Sequence, residues 1–276
     1  MDTSDLAKRM KDYEMRDRYF LQKRIPVAIR VDMRAGHTFT RGFKRPFDDI
    51  FMKSMQETAK YMCENMGNAK FAYVQSDEIT IILVDYDTLE TDCWFNYRTD
   101  KLCSISASMA TMAFNKFFAD AVEQETCRGE YLEDIAGKHW EAMQKGAMFD
   151  ARCFNIPKEE VTNLIYWRQL DASRNSIQMV GQANFSHKEL QNKTCSNIQD
   201  MLMLQKNINW NDFPIHQKRG TSIVKNRIEI KSNGDVNIAQ LRDTTKSENE
   251  WIIDTNMPIL KGEDRNYVDR LIYIGE

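Results

Sequence analysis

Two apolar stretches, each associated with an aspartate, decide the fold of this chain: IPVAIRVD at residues 25–32 and AYVQSDEITIILV at residues 72–84. The first stretch ends in Asp32, and Asp77 lies in the short turn that divides the second. Both acids are therefore expected at the ends of β-strands, where a rigid sheet fixes their positions. A helix-length segment lies between the two stretches, which allows the strands to be neighbours. The sequence predicts that the two carboxylates lie side by side.

Paired carboxylates of this kind indicate a metal site. Two negative charges held together repel each other unless a cation neutralises them, and hard oxygen ligands suit Mg²⁺. Polymerase-like enzymes hold two ions in this way for nucleotidyl transfer. An aspartate at a strand end is also a common turn residue or helix cap, so the pair alone leaves both interpretations open.

Composition restricts the protein's class. The chain has 276 residues, of which 42% are hydrophobic, so it can form one large domain or two small ones. Its net charge is −3, which does not favour a general nucleic-acid binder, and any RNA contact would use local basic patches. The 6 cysteines include no CxxC pair, which favours buried or partly buried free thiols and a reducing cytoplasm. We expect neither a signal peptide nor a membrane span.

The order of predicted elements defines an α+β fold. A charged amphipathic helix is predicted over 4–20, followed by a strand over 25–32 and a loop over 33–47. The pattern then predicts a helix over 47–65, two strands over 69–75 and 78–84, a long helix over about 92–121 and a strand near 152–156. This is the β-α-β-β-α-β order of ferredoxin-like antiparallel sheets.

The C-terminal half is predicted to add helices and a small β element. A helix opens at Pro157 and runs to about residue 182, a capping box at 186–189 starts a short helix, and another helix covers 194–206. Alternating segments at 221–230, 235–241 and 249–253, with a turn at 232–235, predict the β element. We divide the chain approximately into a catalytic part (1–146) and a C-terminal part (147–276) that contributes to RNA binding and assembly, within one compact unit.

Basic side chains flank both acids: Arg30, Arg34, His37, Arg41, Lys44 and Arg45 around the first, and Arg98 and Lys101 beyond the second. The last two lie three residues apart on the predicted long helix and are expected to share a face. Such a cationic setting around a metal pair suits a triphosphate. The alternative is a set of solvated surface charges, and His37 could equally be a structural loop residue.

Several stretches together resemble the tRNA-histidine guanylyltransferase family and its Thg-like 3′-to-5′ polymerase relatives. They occur in family order over about residues 5–225: RVDMR at 30–34, KRPFD at 44–48, AYVQSDE at 72–78, WF at 94–95 with Arg98 and Lys101, FDAR at 149–152, WRQLD at 167–171, NINW at 207–210 and KRG at 218–220. The combination is specific, although no single stretch is.

The resemblance implies a palm-like catalytic core that holds two Mg²⁺ ions and uses ATP, GTP or other nucleoside triphosphates on the 5′ end of tRNA. Its metal ligands fall on Asp32, Asp77 and the backbone carbonyl of Met33, which replaces the family's usual glycine. The implied triphosphate contacts are Arg30, His37, Arg45 with its neighbour Lys44, Asp48, Ser76, Arg98 and Lys101, to which we add Arg34. We further expect tRNA contacts from Arg168, Arg174, Asn175, Lys218 and Arg219, a homotetramer and a cytoplasmic location.

One departure from the family pattern bears on the activity. Eukaryotic enzymes that add guanosine to tRNA-histidine carry His-Ile-Asn-Asn where this chain has SRNS at 173–176, so that only Asn175 is kept. The departure resembles the Thg-like branch, whose members extend 5′-truncated tRNAs on a template. Non-templated guanosine addition to tRNA-histidine, a nucleotide cyclase on the same fold and a catalytically inactive tRNA-binding protein are the alternatives.

Overall fold

The computed structural model describes residues 4–129, 133–225 and 250–274. The helices are α1 (Asp5–Met15), α2 (Gly36–Phe39), α3 (Asp49–Asn65), α4 (Thr99–Arg128), α5 (Glu133–Lys145), α6 (Lys158–Asn184), α7 (His187–Leu190), α8 (Cys195–Lys206), α9 (Ile215–Arg219) and α10 (Asn266–Ile272). The strands are β1 (Val27–Met33), β2 (Ala69–Gln75), β3 (Glu78–Leu83), β4 (Phe149–Asn155), β5 (Thr221–Lys225) and β6 (Trp251–Asp254). Short 3₁₀ turns occur at Trp94–Tyr97, Trp210–Asp212 and Gly262–Arg265.

The strands form one antiparallel sheet in the order β4-β1-β3-β2-β5-β6. Both β1 and β2 run antiparallel to β3, which lies between them, so they are parallel to each other and are joined through α3. The same relation holds for β3 and β4, which lie on either side of β1 and are joined through α4 and α5. This arrangement confirms the predicted α+β, ferredoxin-like core.

The predicted C-terminal β element is added to the edge of this sheet. Strand β5 pairs with β2, and β6 pairs with β5. The addition covers an edge of β2 that would otherwise present unpaired backbone groups. The predicted segments between 226 and 249, including the turn at 232–235, lie outside the described residues. Strands from both predicted parts of the chain thus share one sheet.

Both faces of the sheet are buried, and this alternation directs the side chains. Val27, Ile29 and Val31 of β1 belong to the core on the face covered by α3 and α4. Ala28 belongs to the opposite core, where α6 and α10 pack. Because successive strand residues point to opposite faces, Arg30 and Asp32 lie on the α6 face. The register of β1 therefore decides which helices surround the first acid.

The structure corrects three details of the sequence-based assignment. The predicted long helix begins at Thr99 rather than near residue 92, because Phe95, Asn96 and Tyr97 have positive φ angles (49°, 54° and 55°) that a right-handed helix cannot contain. The helix α5 was not predicted, and the loop 33–47 contains the short helix α2. Capping boxes at Ser186 and Thr194 start α7 and α8, as the sequence indicated.

The cysteines agree with the predicted class of free thiols, except that Cys127 is exposed whereas the other five are buried or half-buried. Among the helices of the described residues, none combines the length and the apolar character that crossing a membrane requires.

Candidate active site

The structure brings Asp32 and Asp77 to the same edge of the sheet. Asp32 is the penultimate residue of β1, and Asp77 lies in the turn between β2 and β3. The backbone N–H of Met33 donates to the carbonyl oxygen of Asp77 at 3.1 Å, which ties the strand end to the turn. Asp32 also lies opposite Glu78 on β3 and Asp150 on β4. Four carboxylates are thereby gathered at one edge.

The electrostatics of Asp32 are those of a carboxylate without a cation. Burial, followed by the negative charges of Asp77, Glu78 and Asp150, raises its pKa to about 6. Within the described residues, no basic side chain forms an ion pair with Asp32 or Asp77. A bound cation would relieve this repulsion, so the donor set fits a divalent metal ion.

Gly36 holds the second acid in place, and the sequence analysis did not identify it. A Cβ atom at this position would lie 2.0 Å from Oδ2 and 2.9 Å from Cγ of Asp77. No side chain other than hydrogen therefore fits between α2 and the carboxylate. The available signal was a glycine four residues after Asp32, in a segment predicted only as a loop.

A cavity of about 570 Å³ opens beside Asp77. This volume lies in the range of small-molecule and cofactor pockets. Its walls come from the segment 36–52, the β2–β3 turn, α6 and α9, and they include His37, Lys44, Arg45, Asp48, Ser76, Asp77, Asn175 and His216. Most of the predicted nucleotide contacts near the first acid therefore lie around one cavity, with Asp77 in its wall.

Asp48 shapes this cavity from within. Its buried carboxylate caps α3 by accepting the N–H of Phe51 at 2.9 Å, and it accepts the N–H of Lys44 at 3.0 Å. The same carboxylate contacts Nε2 of the buried His139 at 2.8 Å. Sequence analysis drew nothing from His139, since only the tertiary structure brings α5 to this loop. The contacts fix the cavity wall at residues 44–51.

Arg168 anchors α6 to the sheet beside the acids. Its guanidinium donates to both carboxylate oxygens of Glu78 at 2.8 and 2.9 Å and to Asp171 at 3.1 Å. Nε of Arg30 lies 3.4 Å from Glu78, and both guanidiniums lie over the ring of Trp167. Only 9% of Arg168 is exposed. The sequence suggested a tRNA contact for this residue, but its charge is used inside the protein.

Replacing Arg168 by alanine should destabilise the protein by about 3–5 kcal/mol, because the buried carboxylate of Glu78 loses its main partner. Arg174→Ala is the matched control: Arg174 lies on the same helix and pairs with Asp171, but its side chain is 62% exposed, so its loss should cost about 1 kcal/mol or less. Chemical denaturation of both variants measures the difference. Equal free energies of unfolding for the two variants would refute the anchoring role.

The other expected tRNA contacts have different surroundings. Lys218 is buried and donates to the carbonyl oxygen of Asn211, and burial lowers its pKa. Arg219 is half-buried, and its carbonyl oxygen accepts the hydroxyl of Tyr73. Asn175 lines the main cavity, and Arg174 is exposed. Of this set, Arg174, Asn175 and Arg219 remain available for an RNA contact.

Arg98 and Lys101 lie toward the other end of the sheet. Arg98 caps α4 with an extended backbone and pairs with Asp100, so it does not belong to a shared helical face with Lys101 as expected. The first turn of α4 contacts β4 at Cys153, whose Sγ lies 3.9 Å from the carbonyl oxygen of Thr99. Cys153 pairs with Ile29, three residues before Asp32 and so roughly 10 Å along the strand. Neither basic residue lines the main cavity.

These features define a class of protein: a palm-like, ferredoxin-type sheet with two carboxylates at adjacent strand ends and a cavity of nucleotide size beside them. Comparison with known proteins is consistent with this class. Residues 7–157 match the family model for tRNAHis guanylyltransferase. The chain belongs to the tRNA-histidine guanylyltransferase family, whose members are nucleotidyltransferases.

Similar proteins are found among both sequences and solved structures. The probable tRNA(His) guanylyltransferase of Dictyostelium discoideum is 25% identical over 258 residues, which cover 89% of each chain. A bacterial tRNA(His) guanylyltransferase (Thg1)-like protein in complex with ATP superposes with a TM-score of 0.78 at 38% identity. A bacterial Thg1-like protein in complex with GTP superposes with a TM-score of 0.74 at 36% identity. Each of these two structures is matched over 98% of this chain and 100% of its own length.

Proposed function

We propose that this protein is a metal-dependent 3′-to-5′ nucleotidyltransferase that adds nucleotides to the 5′ end of tRNA, and that it repairs 5′-truncated tRNAs on a template. The observation that carries the proposal is the cavity of about 570 Å³ whose wall contains Asp77, at the sheet edge that also holds Asp32. The family supplies the reaction class, and the bound ATP and GTP of the two bacterial structures support nucleoside triphosphates as substrates.

Asp32, Asp77 and the carbonyl of Met33 would hold two Mg²⁺ ions. Among the described residues, no group of three or more His, Cys, Asp or Glu side chains could hold a metal ion. The site thus offers few protein ligands, and Mg²⁺ commonly completes its coordination with water and substrate phosphates. When bound, such ions lower the pKa of an attacking hydroxyl and neutralise phosphate charge.

The chain's own residues bind and orient the nucleotide. In the cavity, His37, Arg45 and the hydroxyl of Ser76 would contact the triphosphate, together with Lys44, whose Nζ also lies 3.0 Å from Asp49. Ser76 has a positive φ of 47°, which turns the chain sharply between β2 and β3 and places Asp77 directly after it. We propose that Arg30, Arg98 and Lys101 act outside this cavity on further phosphate groups.

The segment 173–176 supports the templated reaction. Asn175 and Ser176 line the cavity, and the hydroxyl of Ser176 accepts the indole N–H of Trp210 at 3.0 Å. Ser173 instead donates to the carbonyl of Gln169 within α6. The cavity wall therefore differs from that of the tRNA-histidine enzymes at Ser176, where they carry asparagine. With template pairing, nucleotide choice comes from the opposing base, and the protein holds phosphates.

The templated reaction predicts a change of product with the template base. Wild-type protein is incubated with Mg²⁺, all four nucleoside triphosphates and 5′-truncated tRNAs that differ only in the base facing the missing nucleotide. The nucleotide added should change from G to A, U or C as that base is changed. Analysis of the extended 5′ end identifies the product.

Two outcomes favour the alternatives. Addition of G whatever base lies opposite, with a preference for intact tRNA-histidine, supports the non-templated guanylyltransferase. Binding of tRNA with no extension under any condition supports the catalytically inactive protein. Membership of the family disfavours a nucleotide cyclase. The homotetramer and the cytoplasmic location remain predictions.

A further inference from the structure

A second cavity, of about 340 Å³, lies on the other side of the segment that separates it from the nucleotide cavity. It is formed by residues 34–42 on one side and by 138–147, from α5 and the turn after it, on the other. Four basic residues line it, Arg34, Arg41, Lys138 and Lys145, with Glu141 as the acid among its lining residues. We refer to it as the basic cleft.

The charge of the basic cleft contrasts with that of the chain. Four cations and one carboxylate give a local net charge of +3, whereas the whole chain carries −3. Lys138 donates to both oxygens of Glu141 at 3.0 and 2.9 Å, so the carboxylate is already neutralised inside the cleft. The charges of Arg34, Arg41 and Lys145 then face a ligand without a competing acid among the lining residues. Such a cleft is suited to a polyanion.

The basic cleft is built as part of the active-site loop. Arg34 follows Met33 directly, and its backbone N–H donates to the carbonyl of Met148 at 2.8 Å. Lys138 packs its side chain against Gly42, where a Cβ atom would lie 2.8 Å from Cγ of the lysine and where φ is +91°. Arg41 lines both cavities. The cleft is therefore fixed relative to the metal-binding edge.

We infer that the basic cleft binds the phosphate backbone of the RNA strand whose 5′ end is extended. The inference rests on the proposed function, since transfer between a nucleotide and a polynucleotide needs two anion sites near the metals. The nucleotide cavity accounts for one substrate, and the cleft lies across the α2 segment from it. Its chemistry is that of backbone contacts, because Arg and Lys bind phosphates regardless of sequence.

Lys145→Ala in the full-length protein tests this inference. Lys145 is exposed at the end of α5 and has no part in the core. Binding of a 5′-truncated tRNA is followed by fluorescence anisotropy at several salt concentrations, and binding of GTP by calorimetry. We expect the tRNA affinity to fall about three- to tenfold and the slope of log K against log salt to decrease by about one. Affinity for GTP should stay unchanged.

A matched control and a double variant make the result specific. Lys188→Ala removes the same charge from an exposed position on α7, outside the basic cleft, and should leave tRNA binding and its salt slope unchanged. Arg34→Ala combined with Lys145→Ala should decrease the slope by about two, since two phosphate contacts are lost.

Three results overturn the inference, and they differ from one another. If Lys145→Ala binds tRNA as Lys188→Ala does, the cleft does not hold RNA, while the proposed function stands. If Lys145→Ala weakens GTP binding and leaves tRNA binding unchanged, the cleft holds the phosphates of a free nucleotide. If wild-type protein binds GTP but neither binds nor extends tRNA, the proposed function fails together with the inference.

Discussion

Asp32→Asn and Asp77→Asn should each reduce nucleotide addition by about a thousandfold or more, comparable to the loss of a principal electrostatic stabiliser in an active site. Each change removes one of the two charged protein ligands proposed for the metal ions. The amide is similar in size to the carboxylate, so packing at the sheet edge is preserved. Single-turnover extension of a 5′-truncated tRNA in saturating Mg²⁺ measures the loss.

Stability measurements separate a catalytic loss from unfolding. Asp32 lies among the charges of Asp77, Glu78 and Asp150, which disfavour its ionised form. Neutralising it relieves this repulsion, so Asp32→Asn should have a Tm at least equal to that of the wild type without metal. Mg²⁺ should raise the Tm of the wild type and raise that of the variant less, because binding stabilises only a protein that can bind.

Asp200→Asn is the control for these two variants. Asp200 is an exposed aspartate on α8, away from the sheet edge, and its replacement should leave turnover and Tm unchanged. Near-normal turnover of either Asp32→Asn or Asp77→Asn in Mg²⁺ would exclude the metal assignment.

Gly36→Ala should reduce the rate of addition by about a hundredfold, although Gly36 itself carries no chemical group. The new methyl group would lie 2.0 Å from Oδ2 of Asp77, far inside the contact distance. Either the carboxylate rotates away or α2 shifts and carries His37 with it. A misplacement of about 1 Å at a catalytic group can cost a hundredfold in rate.

Gly137→Ala provides a matched control for this change. Gly137 lies within α5, and a Cβ atom there would meet nothing within 4 Å. Alanine is favoured over glycine in a helix interior by about 1 kcal/mol, so this variant should be slightly more stable and fully active. Extension kinetics and Tm are compared for both variants. Equal activity of Gly36→Ala and Gly137→Ala would show that the close approach to Asp77 has no catalytic consequence.

The sequence alone determined the order of the core elements and the position of the two acids. Alternation and apolar runs identify β1 and the β2–β3 pair because each strand buries both faces, and buried strands leave a strong local pattern. The turn at Ser76 and the end of β1 follow from the same pattern. For this reason the local pattern is sufficient to assign Asp32 and Asp77 to strand ends.

Other local features were predicted less well, for a physical reason. The start of α4 depends on three consecutive residues with positive φ angles, Phe95, Asn96 and Tyr97, and their side chains do not signal that conformation. The fully buried Tyr97 shows that tertiary packing holds this turn. Consequently, Arg98 is a helix cap and not a member of a shared face with Lys101.

Only the tertiary structure decided which side chains meet around the acids. Arg168 reaches Glu78 across 90 positions of sequence, and His139 reaches Asp48 across 91. These contacts depend on the register of the sheet and on how α5 and α6 dock against it, and neither leaves a local sequence pattern. The same docking buries Arg168, brings Gly36 against Asp77, and forms the nucleotide cavity and the basic cleft from segments far apart in the chain. The sequence thus names the residues that carry charge, whereas packing decides which charges are used inside the protein and which face a substrate.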